Sequence, residues 1–259
     1  MRRQYILAEF LDHGNAFVRQ VLPRRTVAVL RWNAASTATL TVRDDHPIVG
    51  NLLSEKGIRC AVWHVTITDG SSLSKRRLLE GRVGKVSAKE APYGTVTVPV
   101  TADFQDLATM LGWQVPGAGL DGQGAAEYAR YTGPSETNAK DAIAANAARL
   151  GRPWDVVPSL GRGTSAPLEV RMDELADKIL QPLINDRLQL TIERTPGSDR
   201  WVVDVRAGTV FPRPLTPQSG VIASWEWVDQ PATATRAVVG GRGDGPERQF
   251  ALVVDEALE

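Results

Sequence analysis

Apolar and polar residues alternate over much of the first hundred positions, and a period of two predicts strands. "QYILAEF" (4–10) reads as a first strand. "TVAVLRW" (26–32) reads as a second, with Val27 and Val29 on one face and Ala28, Leu30 and Trp32 on the other. In a third, 37–42, Thr37, Thr39 and Thr41 alternate with Ala38, Leu40 and Val42, so its outward face is threonine rather than charge. Asp44, Asp45 and Pro47 stop it. "IVGNLLSEKG" (48–57) predicts a short helix or turn ending at Gly57. "IRCAVWHVTIT" (58–68) is a fourth strand, closed by Asp69-Gly70. "RRLLEGRVGKVSA" (76–88) is a fifth, whose two glycines predict a bend or bulge. "YGTVTVPVT" (93–101) is a sixth, alternating through Val96, Val98 and Val100. Short strands at this spacing predict a sandwich or small barrel.

After Asp103 the period lengthens. "DFQDLATML" (103–111) predicts a short helix ending at Gly112, and "VPGAGLDGQG" (115–124) a loop. In 135–153 the residues Ala139, Ile143, Ala147 and Leu150 recur at helical spacing. Ser135 is placed to cap, Glu136 sits at the positive end of the dipole, Gly151 supplies the stop and Pro153 blocks continuation. The buried face is mostly alanine, which lets a neighbour approach closely. "RGTSAP" (162–167) reads as loop. "LEVRMDELADKILQPLI" (168–184) reads as a second helix with Met172, Leu175 and Ile179 on one stripe and Pro182 ending or kinking it. A hairpin follows over 188–206, with Leu188, Leu190 and Ile192 alternating against Gln189, Thr191 and Glu193. "PRPLTPQSG" reads as a linker. Strands return at "VIASWEW", "ATATRAVV" and "FALVVD", the last two separated by a glycine-rich turn.

The predicted class is therefore α+β, predominantly β. A β region spans 1–102, an α/β region with two helices and the 188–206 hairpin spans 103–215, and a second β module spans 216–259. The two β regions share an echo. Trp32 precedes Thr37-Ala38-Thr39, and Trp227 precedes Thr233-Ala234-Thr235. Read as a trace of duplication, this gives two related small barrel-like modules, with the 188–206 hairpin available to complete the shorter one.

The chain has 259 residues, and its 30 Lys+Arg balance 30 Asp+Glu. A net charge of zero gives no electrostatic case for nucleic acid or an anionic membrane surface, and no apolar run approaches a membrane span. The start, "MRRQYILAEFLDHG", is broken by Glu9 and Asp12 and does not read as a signal peptide. Cys60 is the single cysteine and sits in an apolar strand, where it acts as a small hydrophobe. His13, His46 and His64 do not pair at metal spacing, and neither an HExxH nor a GxSxG nor a P-loop occurs. "GGRGDGPER" (240–248) lies between strands and reads as a hairpin turn, not a phosphate loop. Asp103/Asp106 and Asp173/Glu174 read as caps or solvated helix faces. No catalytic residue, metal ligand or cofactor is predicted. Of the seven tryptophans, Trp32, Trp63, Trp201, Trp225 and Trp227 lie on or beside strands as core anchors. Trp225 and Trp227, two apart, share a face and are an interface candidate, or a stacking platform for carbohydrate.

The order of segments "RWN…STATLTV…HP", "EGRVGKVSA", "YTGPSETNAKDAIAANAARLGRP", "RMDELADKILQPLINDRLQLTIE" and "PATATRAVVGGRGDGPER" resembles the hub-type minor tail proteins of long-tailed phages of actinobacteria. The resemblance covers most of the chain. It implies a virion protein, made in the host cytoplasm, at the distal end of the tail. It also implies a homotrimer whose chains each give two β-barrel tube domains, here 1–102 and 216–259, forming a ring of near six-fold symmetry. The implied partners are the distal tail ring, the tape measure protein and tail fibre or tip proteins, with phage DNA passing transiently. Thr37, Thr39, Thr41, Thr233, Thr235, Trp225 and Trp227 would then be interface residues. Relatives are often longer, and 216–259 is short for a full barrel. The alternatives are a tail-associated cell-wall hydrolase, which the motifs do not favour, and a carbohydrate-binding module.

Overall fold

The N-terminal alternation becomes one antiparallel sheet in the computed structural model, which describes residues 3–68, 72–89, 94–195, 197–209, 216, 236–241 and 248–254. Its strands are β1 (Arg3–Leu11), β2 (Phe17–Val21), β3 (Arg25–Val29), β4 (Thr37–Arg43), β5 (Arg59–Thr68), β6 (Ser72–Val83), β7 (Ser87–Lys89) and β8 (Thr95–Ala102), with helix α1 (Ile48–Ser54) between β4 and β5. They run in the order β2-β1-β5-β6-β8-β4-β3, with β7 also on β8. Every second side chain of the inner strands points into one core: Phe10, Leu40, Val42, Cys60, Val62 and Val98 are all buried. Val21, from one end of the order, and Ala28, from the other, pack against the same cluster, so the sheet curls around it. The predominantly β, α+β class holds. Among the described residues the sheet is not closed into a full barrel, since β2 and β3 remain the ends of the hydrogen-bonded path.

Three details differ from the sequence expectation. Strand β3 stops at Val29, and Leu30 and Trp32 lie beyond it and are exposed. Strand β2 shows little alternation because only Val21 of it is fully buried, with Val18 packed partly against the same core. The irregularity expected around Gly81 and Gly84 lies at Val62/Trp63, opposite Leu78. Gly81 has another task. There β6 approaches β8 so closely that an added Cβ would stand 1.8 Å from the Thr101 carbonyl oxygen.

The following segment contains α2 (Phe104–Ala108), β9 (Leu111–Gly112), a 3-10 turn at Leu120–Ala125, β10 (Ala129–Pro134), α3 (Ser135–Arg149), β11 (Trp154–Val156), β12 (Ser165–Val170), β13 (Asp173–Glu174), α4 (Leu175–Asn185), β14 (Leu188–Arg194) and β15 (Trp201–Ala207). The hairpin β14–β15 is as read, extended by β11 running parallel to β15. A second apolar core gathers Ala139, Ala142 and Ile143 of α3, Leu175, Ile179 and Leu183 of α4, and Leu190 and Val203 of the hairpin. The alanine face of α3 is what admits α4.

The second helix starts at Leu175, not Leu168: Leu168–Val170 belong to β12, paired with β10, and Met172 turns the chain at φ 52°. Part of "RGTSAP" is therefore strand. Ser135 is the first helical residue rather than a cap, and its hydroxyl donates to Asp186 Oδ2 at 2.6 Å. Leu150 is exposed, while Gly151 takes the left-handed φ of 60° that ends the helix.

The chain divides into two compact units, Met1–Gly208 and Thr209–Glu259, and both cores above lie in the first. In the second, β16 (Arg236–Gly240) and β17 (Phe250–Val254) form an antiparallel pair.

Candidate assembly interface

The outward face of β4 carries the expected threonines. Its register aligns Thr37 with Thr101 and Val29, Thr39 with Pro99 and Val27, and Thr41 with Thr97 and Arg25. Because β4 lies between β3 and β8, the threonines belong to a sheet face and not to an edge. Val27 and Val29 are 45% and 43% exposed. The result is an almost uncharged surface of threonine and β-branched apolar residues. Such a surface loses little on desolvation, because a hydroxyl costs far less to bury than a charge. Arg31 braces one end through Ala35 O at 2.9 Å and Thr37 Oγ1 at 3.1 Å.

Trp32 is 45% exposed, so it is not the core anchor expected. The next residue holds its loop down. Buried Asn33, at φ 52°, donates from Nδ2 to Leu188 O at 2.8 Å and accepts from Leu190 N at 2.7 Å. Its amide acts as a one-residue strand against β14. Trp63 is half-buried with Lys75 4.7 Å from its ring centroid, and Trp201 donates from Nε1 to Asp103 Oδ2 at 2.7 Å. Trp225, Trp227, Thr233 and Thr235, with the strand "VIASWEW", lie outside the described residues.

Beside the Asn33 clamp is a groove of about 400 Å³ between Leu30–Ser36, Arg77–Glu80 of β6 and Gln189–Arg194 of β14. A buried ion cluster closes one end. Glu80 accepts from Arg77 Nη1 at 2.8 Å and from Arg194 Nε in a short contact, and Arg59 Nη2 reaches Asp103 Oδ2 at 2.5 Å. Arg77 also donates to Arg194 O at 3.1 Å. Asp103, expected as a cap or solvated group, is buried and makes no side-chain capping bond to α2. The signal for this cluster was available as charges set inside apolar runs: Arg59 in "IRCAVW" and Glu80 in "RLLEG".

A second buried cluster fixes the start of α3. Glu136, fully buried, accepts from Lys140 Nζ at 2.8 Å and from Arg162 Nε at 2.8 Å, and Lys140 also reaches Asp204 Oδ1 at 2.9 Å. Burial pushes the Glu136 carboxyl up, but the hydrogen bonds from Arg162 and Lys140 outweigh it and hold the group well below the usual carboxylate range. Burial and hydrogen bonding act in the same opposed way on Asp204, whose carboxyl is also lowered.

In the second unit, β16 and β17 expose apolar side chains on both faces. Val238 is 69% exposed, Phe250 67%, Leu252 60% and Val253 58%. An isolated two-stranded ribbon is at best marginally stable in water. The glycine-rich stretch before Phe250 joins these antiparallel strands, as a hairpin requires; residues 242–247 of it lie outside the described residues.

The other candidates resolve into structure. Cys60 is buried and its thiol is pushed up by that burial. His46 Nδ1 accepts from Ile48 N at 3.2 Å, just before α1. Asp173 and Glu174 lie on β13 and not on a helix, and Asp173 accepts from Arg171 N at 2.8 Å. Asp106 pairs with Arg82 and Arg152. Among the described residues no group of three His, Cys, Asp or Glu comes together as a metal would need, and no helix is long and apolar enough to cross a membrane.

A model of the family described as Siphovirus ReqiPepy6 Gp37-like protein matches residues 25–259. No curated protein matches. Among solved structures, the Francisella PdpA-VgrG complex in its lidded form is similar at 11% identity and a TM-score of 0.46, over 93% of this chain and 34% of that one. The 43 kDa tail protein of prophage MuSo2 from Shewanella oneidensis is similar at 13% identity and a TM-score of 0.43, over 77% and 54%. A tail protein from Neisseria meningitidis MC58 is similar at 9% identity and a TM-score of 0.41, over 77% and 50%. The chain thus spans from a third to about half the length of these structures.

Proposed function

We propose that this chain, which belongs to the Siphovirus ReqiPepy6 Gp37-like protein family, is a structural hub at the distal end of a phage tail. It acts by geometry and has no catalysis of its own. In this reading 1–102 and 216–259 are the tube modules of one chain, with 103–215 outside the tube. Three chains close a ring. The ring mates with the distal tail ring, meets the tape measure protein, anchors tip proteins or fibres, and lets DNA pass when the tip opens.

The observation that carries this reading is the surface of the two β modules. The N-terminal sheet turns a threonine–valine face outward whose charges, Arg25 and Arg31, stand at its ends, and the C-terminal ribbon leaves Val238, Phe250, Leu252 and Val253 in water. Contiguous exposed apolar surface marks an interaction site, and a face with few charges can be buried at little desolvation cost.

Antibodies raised against the full chain are expected to label intact virions at the free tip of the tail in electron micrographs. Labelling along the shaft, at the head, or none on disrupted tips would overturn the assignment.

A further inference from the structure

We propose that the outer edge of β14 receives the Phe250–Val254 strand of a second copy of this chain. The inference rests on the hub reading and names how its copies join. It starts from hydrogen-bond alternation. Leu190 and Val205 face each other in the β14–β15 register, yet Leu190 N donates to Asn33 Oδ1 and Val205 N to Asp204 Oδ1. They are therefore a non-hydrogen-bonded pair. Antiparallel alternation then turns the backbone groups of Leu188, Leu190, Ile192 and Arg194 away from β15.

Two side chains take the ends of this outward row. Asn33 donates to Leu188 O, and Arg77 donates to Arg194 O. Between them the Leu190 carbonyl, both backbone groups of Ile192 and the Arg194 N–H have no protein partner among the described residues. The 400 Å³ groove lies along this segment. Its far wall is β6, which bonds β8 only through Gly81–Val83. An unpaired strand edge lining a groove is a site for strand addition: the backbone supplies affinity, and the side chains of the groove cover part of what enters.

The occupant follows from the sequence of β17. "FALVV" is apolar without alternation, the pattern of a strand covered on both faces. Among the described residues it pairs with β16 and exposes both faces. Leu30, Leu79, Phe104, Leu190 and Ile192 give the groove apolar contacts of the kind such a strand needs. Each copy carries one groove and one strand, so the contact is head-to-tail and closes into a ring when the rotation permits.

The test is amide hydrogen exchange of the full chain at rising concentration, with mass followed in parallel by light scattering. As mass rises to three copies, exchange at Ile192 and Arg194 is expected to slow about tenfold or more. Leu252→Arg, at an exposed position, is expected to abolish that slowing and lower the mass with the Tm of the first unit unchanged. Ile192→Pro, which removes one outward N–H, is expected to lower the mass and the protection at Arg194 as well, with a lower Tm of the first unit because Ile192 also packs against its core. A trimer that forms with both amides unprotected overturns this contact and leaves the hub reading standing. Protection already complete in a monomer places another segment in the groove and overturns the second copy as occupant. Absence of association and protection, alone and with the ring-forming tail partner, overturns the contact and the hub reading together; association with the partner but without protection overturns the contact alone.

Discussion

Replacing Glu80 by alanine is expected to destabilise the first unit by about 3–5 kcal/mol. Glu80 sits among Arg59, Arg77 and Arg194, and both Arg59 and Arg194 are buried. Without it, Asp103 remains as the buried counter-charge, and it is already held by Arg59 and Trp201. Uncompensated buried charge costs more than an ion pair contributes, so the loss exceeds that of an exposed pair such as Arg130–Glu169, worth about 0–1 kcal/mol. Urea unfolding followed by circular dichroism measures it. The double variant Glu80→Ala, Arg194→Met removes charge and counter-charge together and is expected to recover part of the loss. A single-variant loss below about 1 kcal/mol would mean that the cluster is solvated.

The second large effect lies at the start of α3. The folded-state carboxyl of Glu136 is depressed, as is that of Asp204. A depressed carboxylate contributes stability that is present above its unfolded value, about 4.3 for glutamate, and is lost as pH falls through the folded one. Stability of the first unit is therefore expected to stay level from neutral pH down to about 5 and to fall steeply below about 4. Glu136→Gln is expected to lose about 3 kcal/mol at pH 7, because Lys140 and Arg162 then share only Asp204. It should also flatten the acid limb. Thermal unfolding of both proteins from pH 3 to 7 decides: parallel acid limbs would show that Glu136 does not carry the dependence.

The sequence exposes most of the N-terminal sheet because β4, β5 and β8 each have one dry and one wet face, so period two is written into them. Strand β2 was illegible for the opposite reason: as an end strand it buries Val21 fully and Val18 only in part. The helix–strand confusion at Leu168 arose because Leu168, Met172, Leu175 and Ile179 satisfy a helical period. The positive φ of Met172, which breaks the run, leaves no trace in composition. The threonine face of β4 was readable, but its position between two strands was not, since pairing order is a long-range property. The groove was invisible to local reading. It depends on Asn33 reaching β14 across 155 positions and on Gly81 bringing β6 onto β8. The buried charges left a signal, in that Arg59 and Glu80 interrupt apolar runs. Trp32, read as a core anchor, stands in water because β3 ends three residues earlier.

The groove along β14 and the exposed Phe250–Val254 strand are, in this reading, halves of a joint between identical chains. Light scattering on the full chain, alone and with the ring-forming tail partner, weighs that joint. Three times 28.1 kDa, alone or on the partner ring, is the mass expected; a chain that stays at 28.1 kDa in both mixtures contradicts it.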